Sequence, residues 1–128
     1  MKITPADKWF SKFIRLRDAD ENGYIRCISC GRIVHWTKAD CGHFVKRQHM
    51  ALRFNEQNCN AQCKACNAFE QGNDIGYATG LDKKYGTGTA DKLRAMQNNT
   101  LHLGKFELKV IADHYKEEFL KLKKQKGL

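Results

Sequence analysis

Two paired-cysteine knuckles, Cys27-Ile28-Ser29-Cys30 and Cys63-Lys64-Ala65-Cys66, constrain this chain more than any other feature. Each pair sets two sulfurs on one tight turn, and two turns complete a tetrahedron suited to Zn²⁺. At 128 residues the chain is one domain, or one domain with an extension, and a chain this short often needs such a staple. The pairs stand further apart than in a minimal finger, so a sub-structure must sit between them. With thiolates at all four positions the zinc is closed and structural. The competing reading is two unrelated pairs of buried cysteines. Cys41 and Cys59 fall in the inserted segment at strand-like positions and read as small core residues.

The knuckle reading depends on compartment. No apolar run approaches the ~18 residues that span a bilayer, and Met1 to Pro5 lacks the apolar stretch of a signal peptide. A cytosolic protein without membrane contact is expected, where six cysteines point to metal rather than disulfides. The net charge of +9 favours a polyanionic partner, nucleic acid first. A merely solubilising surface would carry the same charge. The basic residues are spread along the chain, which argues against a membrane surface.

Around the knuckles the pattern is α+β. Thr4-Pro5-Ala6-Asp7 opens a helix with a cap, a first-turn proline and an acidic first turn. Trp9, Phe10, Phe13, Ile14 and Leu16 follow at helical spacing, and the acidic run Asp18 to Gly23 is a turn. Tyr24 to Arg26 and Ile33 to Trp36 are short strands flanking the first knuckle. A second strand pair lies near Asp40 to Lys46 and Gln57 to Gln62. Lys64 to Gln71 reads as a short helix ended by Gly72. Helices are expected over Asp74 to Tyr85, Thr89 to Asn98 and Phe106 to Lys126, with Gly86 to Gly88 as a connector. In the last helix Leu108, Ile111, Tyr115, Phe119 and Leu122 form an apolar stripe, read as core, with a homodimer surface as the alternative. The division expected is a zinc-stapled core with its N-terminal helix over 1–73, and a helical extension over 74–128.

The inserted segment runs Asp40-Cys41-Gly42-His43-Phe44-Val45-Lys46-Arg47-Gln48-His49, then Arg53-Phe54-Asn55-Glu56-Gln57-Asn58-Cys59-Asn60-Ala61-Gln62 up to Cys63. A histidine ends a short strand, Asn58 begins the next, and Asn67 directly follows Cys66. This order resembles the His-Asn-Asn variant of the HNH, or ββα-metal, nuclease finger. The wording goes further. Asp-x-Gly-His-Phe, His-x-x-x-Arg-Phe, Asn-x-x-x-Gln-Cys-x-x-Cys-Asn and Gly72-Asn73, with Phe13 to Asp18 and the Cys-Ile-Ser-Cys-Gly knuckle, resemble the NinG/Rap recombination nucleases of lambdoid phages. The motifs cover about residues 8 to 86.

The resemblance implies an HNH-type DNA endonuclease, working in the cytoplasm of a phage-infected bacterial cell on branched recombination intermediates such as D-loops or Holliday junctions. It implies His43 as the general base, Asn58 as the residue that orients His43 or its loop, and Asn67 as a ligand of a catalytic Mg²⁺ or Mn²⁺. The commoner finger places Asp or His immediately before the base, where this chain has Gly42. Asp40 lies on the same strand face as Gly42 and is favoured as the second ligand, because a hard ion prefers carboxylate oxygen. His49, in the following loop, is the rival. Lys46, Arg47 and Arg53 lie close to the motif and would grip phosphates without reading bases. Two other readings remain open: a general HNH nicking enzyme of phage packaging or restriction, and a non-catalytic zinc module that only binds DNA.

Overall fold

A computed structural model describes residues 2–69 and 73–128. It is a mixed α+β fold with two small antiparallel sheets held between helices. Among the described residues, no helix is long and apolar enough to cross a membrane.

Helix α1, Pro5–Arg17, starts with the expected capping box: the Asp7 backbone N–H donates to Thr4 Oγ1 and the Thr4 N–H donates to Asp7 Oδ2. Its apolar face buries Phe10, Ile14 and Leu16. Strands β1, Tyr24–Arg26, and β2, Ile33–His35, pair in register Ile25↔Val34 around the first knuckle. Trp36 leaves the strand and opens a 3-10 turn, Trp36–Lys38, so β2 is shorter than expected. Strands β3, Asp40–His43, and β4, Cys59–Gln62, form the second sheet, with Gly42 opposite Asn60 and His43 opposite Cys59. Each is shorter than its sequence pattern. The chain after His43 leaves the sheet to form a loop and one helical turn, α2, Met50–Arg53.

Ala65–Phe69 follows the second knuckle as a π-helical turn, where a plain α-helix was expected. The rest of that expected helix, Glu70 and Gln71, and its stop at Gly72 lie outside the described residues. Helix α3, Asp74–Tyr85, has the expected limits. Helix α4, Thr89–Ala95, stops short of Asn98, and Lys105–Lys126 forms α5.

Helix α3 lies hard against the first knuckle. A Cβ at Gly80 would stand 1.9 Å from the carbonyl oxygen of Ile28, and one at Gly76 would stand 2.4 Å from that of Ser29. Only glycine permits this approach. Tyr77, on the same helix, is buried, and its hydroxyl donates toward the carbonyls of Gly42 at 2.7 Å and Asn58 at 3.1 Å. It thereby pins the end of β3 to the start of β4.

The apolar stripe of α5 turns onto α1. Phe119 and Leu122 join Leu16 and Trp9 in one cluster, while Tyr115 and Ile111 join Phe10 and Ile14 in another. These four stripe residues therefore pack within the chain as core. At the far end Lys126 Nζ donates to the carbonyls of Leu16 at 2.8 Å and Arg17 at 3.2 Å. It supplies partners to the C-terminal carbonyls of α1, which no intrahelical N–H can reach.

Candidate active site and metal centre

The two knuckles converge. One sulfur from each of Cys27, Cys30, Cys63 and Cys66 lies within 4.8 Å of the others. Cys30 Sγ and Cys63 Sγ are 3.7 Å apart, against about 3.8 Å for the edge of a tetrahedron with zinc–sulfur bonds of about 2.3 Å. Cys27, Cys63 and Cys66 are buried, and Cys30 is exposed. Burial pushes the Cys66 thiol up to about 12. At Cys27 burial acts in the same direction, but the backbone N–H groups of Cys63, Cys30 and Ser29 outweigh it and hold the thiol below its ordinary value. Such N–H groups favour thiolate. The first knuckle is tied to β4 by Ile28 N–H donating to Ala61 O at 3.1 Å. Asn73, which caps α3, donates to Cys66 Sγ at 3.6 Å. These four sulfurs can hold a metal ion such as zinc.

His43 closes β3, and its Nε2 lies 3.0 Å from the carbonyl oxygen of Arg53. A carbonyl only accepts, so Nε2 carries the proton and Nδ1 keeps a lone pair. Burial holds the imidazole below its ordinary value of 6.5, and the nearby Arg47 and Arg53 charges act in the same direction. Burial thereby favours the neutral ring. Asn58 is fully buried. It accepts from Val45 N–H at 2.8 Å and donates to the carbonyls of Val45 at 2.9 Å and Leu52 at 3.1 Å. Asn58 thus fastens the loop after His43 to the segment before Arg53, without touching the ring itself.

Asn67 and Asp40 meet directly, with Asn67 Nδ2 donating to Asp40 Oδ2 at 3.0 Å. Lys64 Nζ donates to the other carboxylate oxygen at 2.6 Å. A cleft of about 870 Å³ is lined by Cys41, His43, Arg47 and Asn67, and Asn67 also lines an adjoining cleft with Asp40. His43 and Asn67 thus line one cleft. His49 immediately precedes α2 and lies outside the lining of both clefts. Gly42 is the point where a ligand would precede the base in the commoner finger. There a Cβ would stand 2.1 Å from Gln62 Oε1, so the buried Gln62 side chain fills that place.

The basic residues near the motif separate. Lys46 and Arg47 line the cleft. Arg53 does not present its charge to a phosphate, which corrects the expectation for it. Its side chain is 4% exposed and is clasped by Asp7, with Arg53 Nε donating to Asp7 Oδ1 at 2.8 Å. A buried guanidinium needs its partner more than a distant anion. A second basic set was missed. Lys8, Lys12 and Arg15 stand at i, i+4 and i+7 on α1 and line the same cleft. The signal was present as a charged stripe at helical spacing, beside the apolar stripe that dominated the reading.

Comparison with known proteins gives a consistent result. The model of the family described as "Bacteriophage Lambda NinG protein" matches residues 3–125. The chain is 34% identical to Protein ninG of Escherichia phage lambda over 97 residues, covering 75% of this chain and 45% of that protein. It is 33% identical to Protein ninG of Escherichia phage 933W over 97 residues, covering 75% and 46%. It is 33% identical to Protein ninG of Salmonella phage P22 over 94 residues, covering 73% and 44%. The chain thus spans about half the length of the curated relatives it matches. No solved structure matches.

Proposed function

The chain belongs to the NinG family, and from that premise we propose that it is a metal-dependent DNA endonuclease of phage recombination, acting on branched DNA in the cytoplasm of the infected bacterial cell. The observation that carries the reading is His43. Its imidazole is anchored through Nε2 on the Arg53 carbonyl, lines a cleft shared with Asn67 and edged by cations, and is favoured in its neutral form by burial. A general base must be neutral and held in place, and these features suit His43 to that role. The order β3, β4 and helical turn supports a ββα-metal finger, stapled by Zn²⁺ on the four knuckle thiolates.

In this reading Nδ1 of His43 takes the proton from the water that attacks phosphorus. Arg53 O fixes the ring through Nε2, and Asn58 fixes the loop around it. Lys46, Arg47, Lys8, Lys12 and Arg15 hold backbone phosphates, giving affinity without base readout. Asp40 and Asn67 offer two adjacent hard oxygen donors, enough for an ion that keeps most of its waters. For that to happen Lys64 must release Asp40, and the Asn67 amide, whose nitrogen donates to Asp40 Oδ2, must turn its oxygen to the ion. When bound there, Mg²⁺ or Mn²⁺ would neutralise charge on the scissile phosphate and the leaving 3′ oxygen.

The test is cleavage of a four-way junction and of linear duplex in Mg²⁺, by the parent and by His43→Ala. Junction cutting that exceeds duplex cutting, and that the substitution abolishes while binding persists, is expected. Equal cutting of both substrates sinks the branched-DNA assignment in favour of a general nicking enzyme. Tight binding with no cutting in Mg²⁺ or Mn²⁺ leaves only a zinc-ordered binding module.

A further inference from the structure

Cys41 and Cys59 are not merely small core residues. We propose that they form, with His43, a second metal site. It takes a soft divalent cation such as Zn²⁺ and is separate from the four-thiolate centre. A sulfur of each cysteine and a ring nitrogen of His43 lie within 4.8 Å of one another. The sheet puts them together. His43 stands directly opposite Cys59, and Cys41, two residues earlier on β3, projects from the same face. A tetrahedral zinc site with two sulfurs and one nitrogen needs ligand separations of about 3.6–3.8 Å. Each pair therefore has at most about 1.2 Å to close.

Cys59 is fully buried against Phe10 and Ile14, at the back of the site. Cys41 and His43 are half-buried and line the cleft, which gives an ion its way in. Three protein ligands with the fourth position open to the cleft is the arrangement of an accessible zinc site rather than a closed one. The donors also divide by hardness. Two sulfurs and an imidazole select Zn²⁺, Co²⁺ or Cd²⁺, whereas the neighbouring oxygens of Asp40 and Asn67 suit Mg²⁺ or Mn²⁺. Binding releases the two thiol protons to solvent and forms two metal–sulfur bonds and one metal–nitrogen bond.

The consequence for cleavage rests on the proposed function. A neutral imidazole has one lone pair. An ion that takes it leaves nothing to accept a proton from water, so soft-cation binding would silence the nuclease.

The test titrates Co²⁺ into protein already carrying one equivalent of Zn²⁺, reading the sulfur-to-cobalt charge-transfer absorption and the bound metal by elemental analysis. One further equivalent is expected in the parent. Cys41→Ser should lose it, and His43→Ala should weaken it at least tenfold. Circular dichroism shows whether each variant remains folded, and Cys59→Ala gives a second sulfur deletion. A parent that takes no further equivalent overturns the site, as does a folded Cys41→Ser that binds like the parent. In a cleavage assay with Mg²⁺, added Zn²⁺ should inhibit the parent at least tenfold and leave Cys41→Ser active; equal inhibition of both places the inhibitory ion elsewhere and overturns the site. A protein that cuts no DNA defeats the nuclease reading alone, because the cobalt titration does not depend on cleavage.

Discussion

The imidazole of His43 hangs from the backbone carbonyl of Arg53 by a 3.0 Å hydrogen bond, and the Arg53 side chain is clasped in turn by Asp7 of α1. The orientation of the proposed base is therefore set by an ion pair between residues 46 positions apart. Both partners are buried, Asp7 at 8% and Arg53 at 3% exposure.

Asp7→Asn tests this relay. Removing one member of a buried pair leaves the other charge uncompensated, at a cost of about 3–5 kcal/mol. Urea denaturation should show a loss of that order. In variants still folded, cleavage should lose kcat more than it raises KM, because the base is misaimed while the phosphate-gripping cations remain. A loss confined to KM would mean that Asp7 serves binding and not the orientation of His43.

The pH dependence follows from His43. Its folded value lies below 6.5, driven first by burial. Between that lower value and 6.5, the unfolded chain binds more protons than the folded one, so stability rises with pH there. The contribution is fully present above 6.5 and is lost as pH falls through the window beneath it. His43→Ala should show a shallower loss of stability than the parent in that window. Cleavage should hold its rate down to about pH 6.5 and fall only below, since the neutral ring persists. Identical stability slopes for the two proteins would remove the buried neutral imidazole from the account.

Gly80 reports on the contact between α3 and the knuckle. Alanine in a helix interior is normally worth about 1 kcal/mol over glycine. Here its Cβ would meet the Ile28 carbonyl at 1.9 Å, a rigid backbone atom that must move. Overpacking of this kind costs about 1–3 kcal/mol, so Gly80→Ala should lower the urea midpoint. An unchanged or higher midpoint would mean that helix and knuckle do not pack as closely as described.

What the sequence could reveal follows the range of the signal. The start of α1 and the limits of α3 were legible because caps and periodicity act within a few residues. Helix α2 was not, since four residues carry no period. It persists because Leu52 is buried and the Asn58 side chain donates to the Leu52 carbonyl within it. The convergence of the two knuckles followed from their spacing, whereas the contact of Asp40 with Asn67, on the turn after β4, had no local signal. Arg53 was misread because its partner lies on another helix. A cation beside a motif looks the same in sequence whether it faces a phosphate or a buried carboxylate. The Gly42 departure had its reason in Gln62, across the sheet, where no local pattern could show it.

Cys30 gives the cleanest measure of what metal contributes to this fold. It is the one exposed sulfur of the four-thiolate cluster, so Cys30→Ala removes little packing and opens no interior cavity. Any large effect must come from the lost ligand. A metal bound only by the folded state adds its binding free energy to stability, and several kcal/mol in a chain of this size corresponds to roughly 10 °C or more in Tm. Cys30→Ala should therefore melt at least that far below the parent and bind at least one fewer equivalent of zinc. The drop should shrink sharply when both proteins are melted in excess chelator, because the parent then loses its ion as well. A variant that melts with the parent in the absence of chelator would show that the four sulfurs are packing and not ligands, and the knuckles would have to be held by the contacts of α3 and β4 alone.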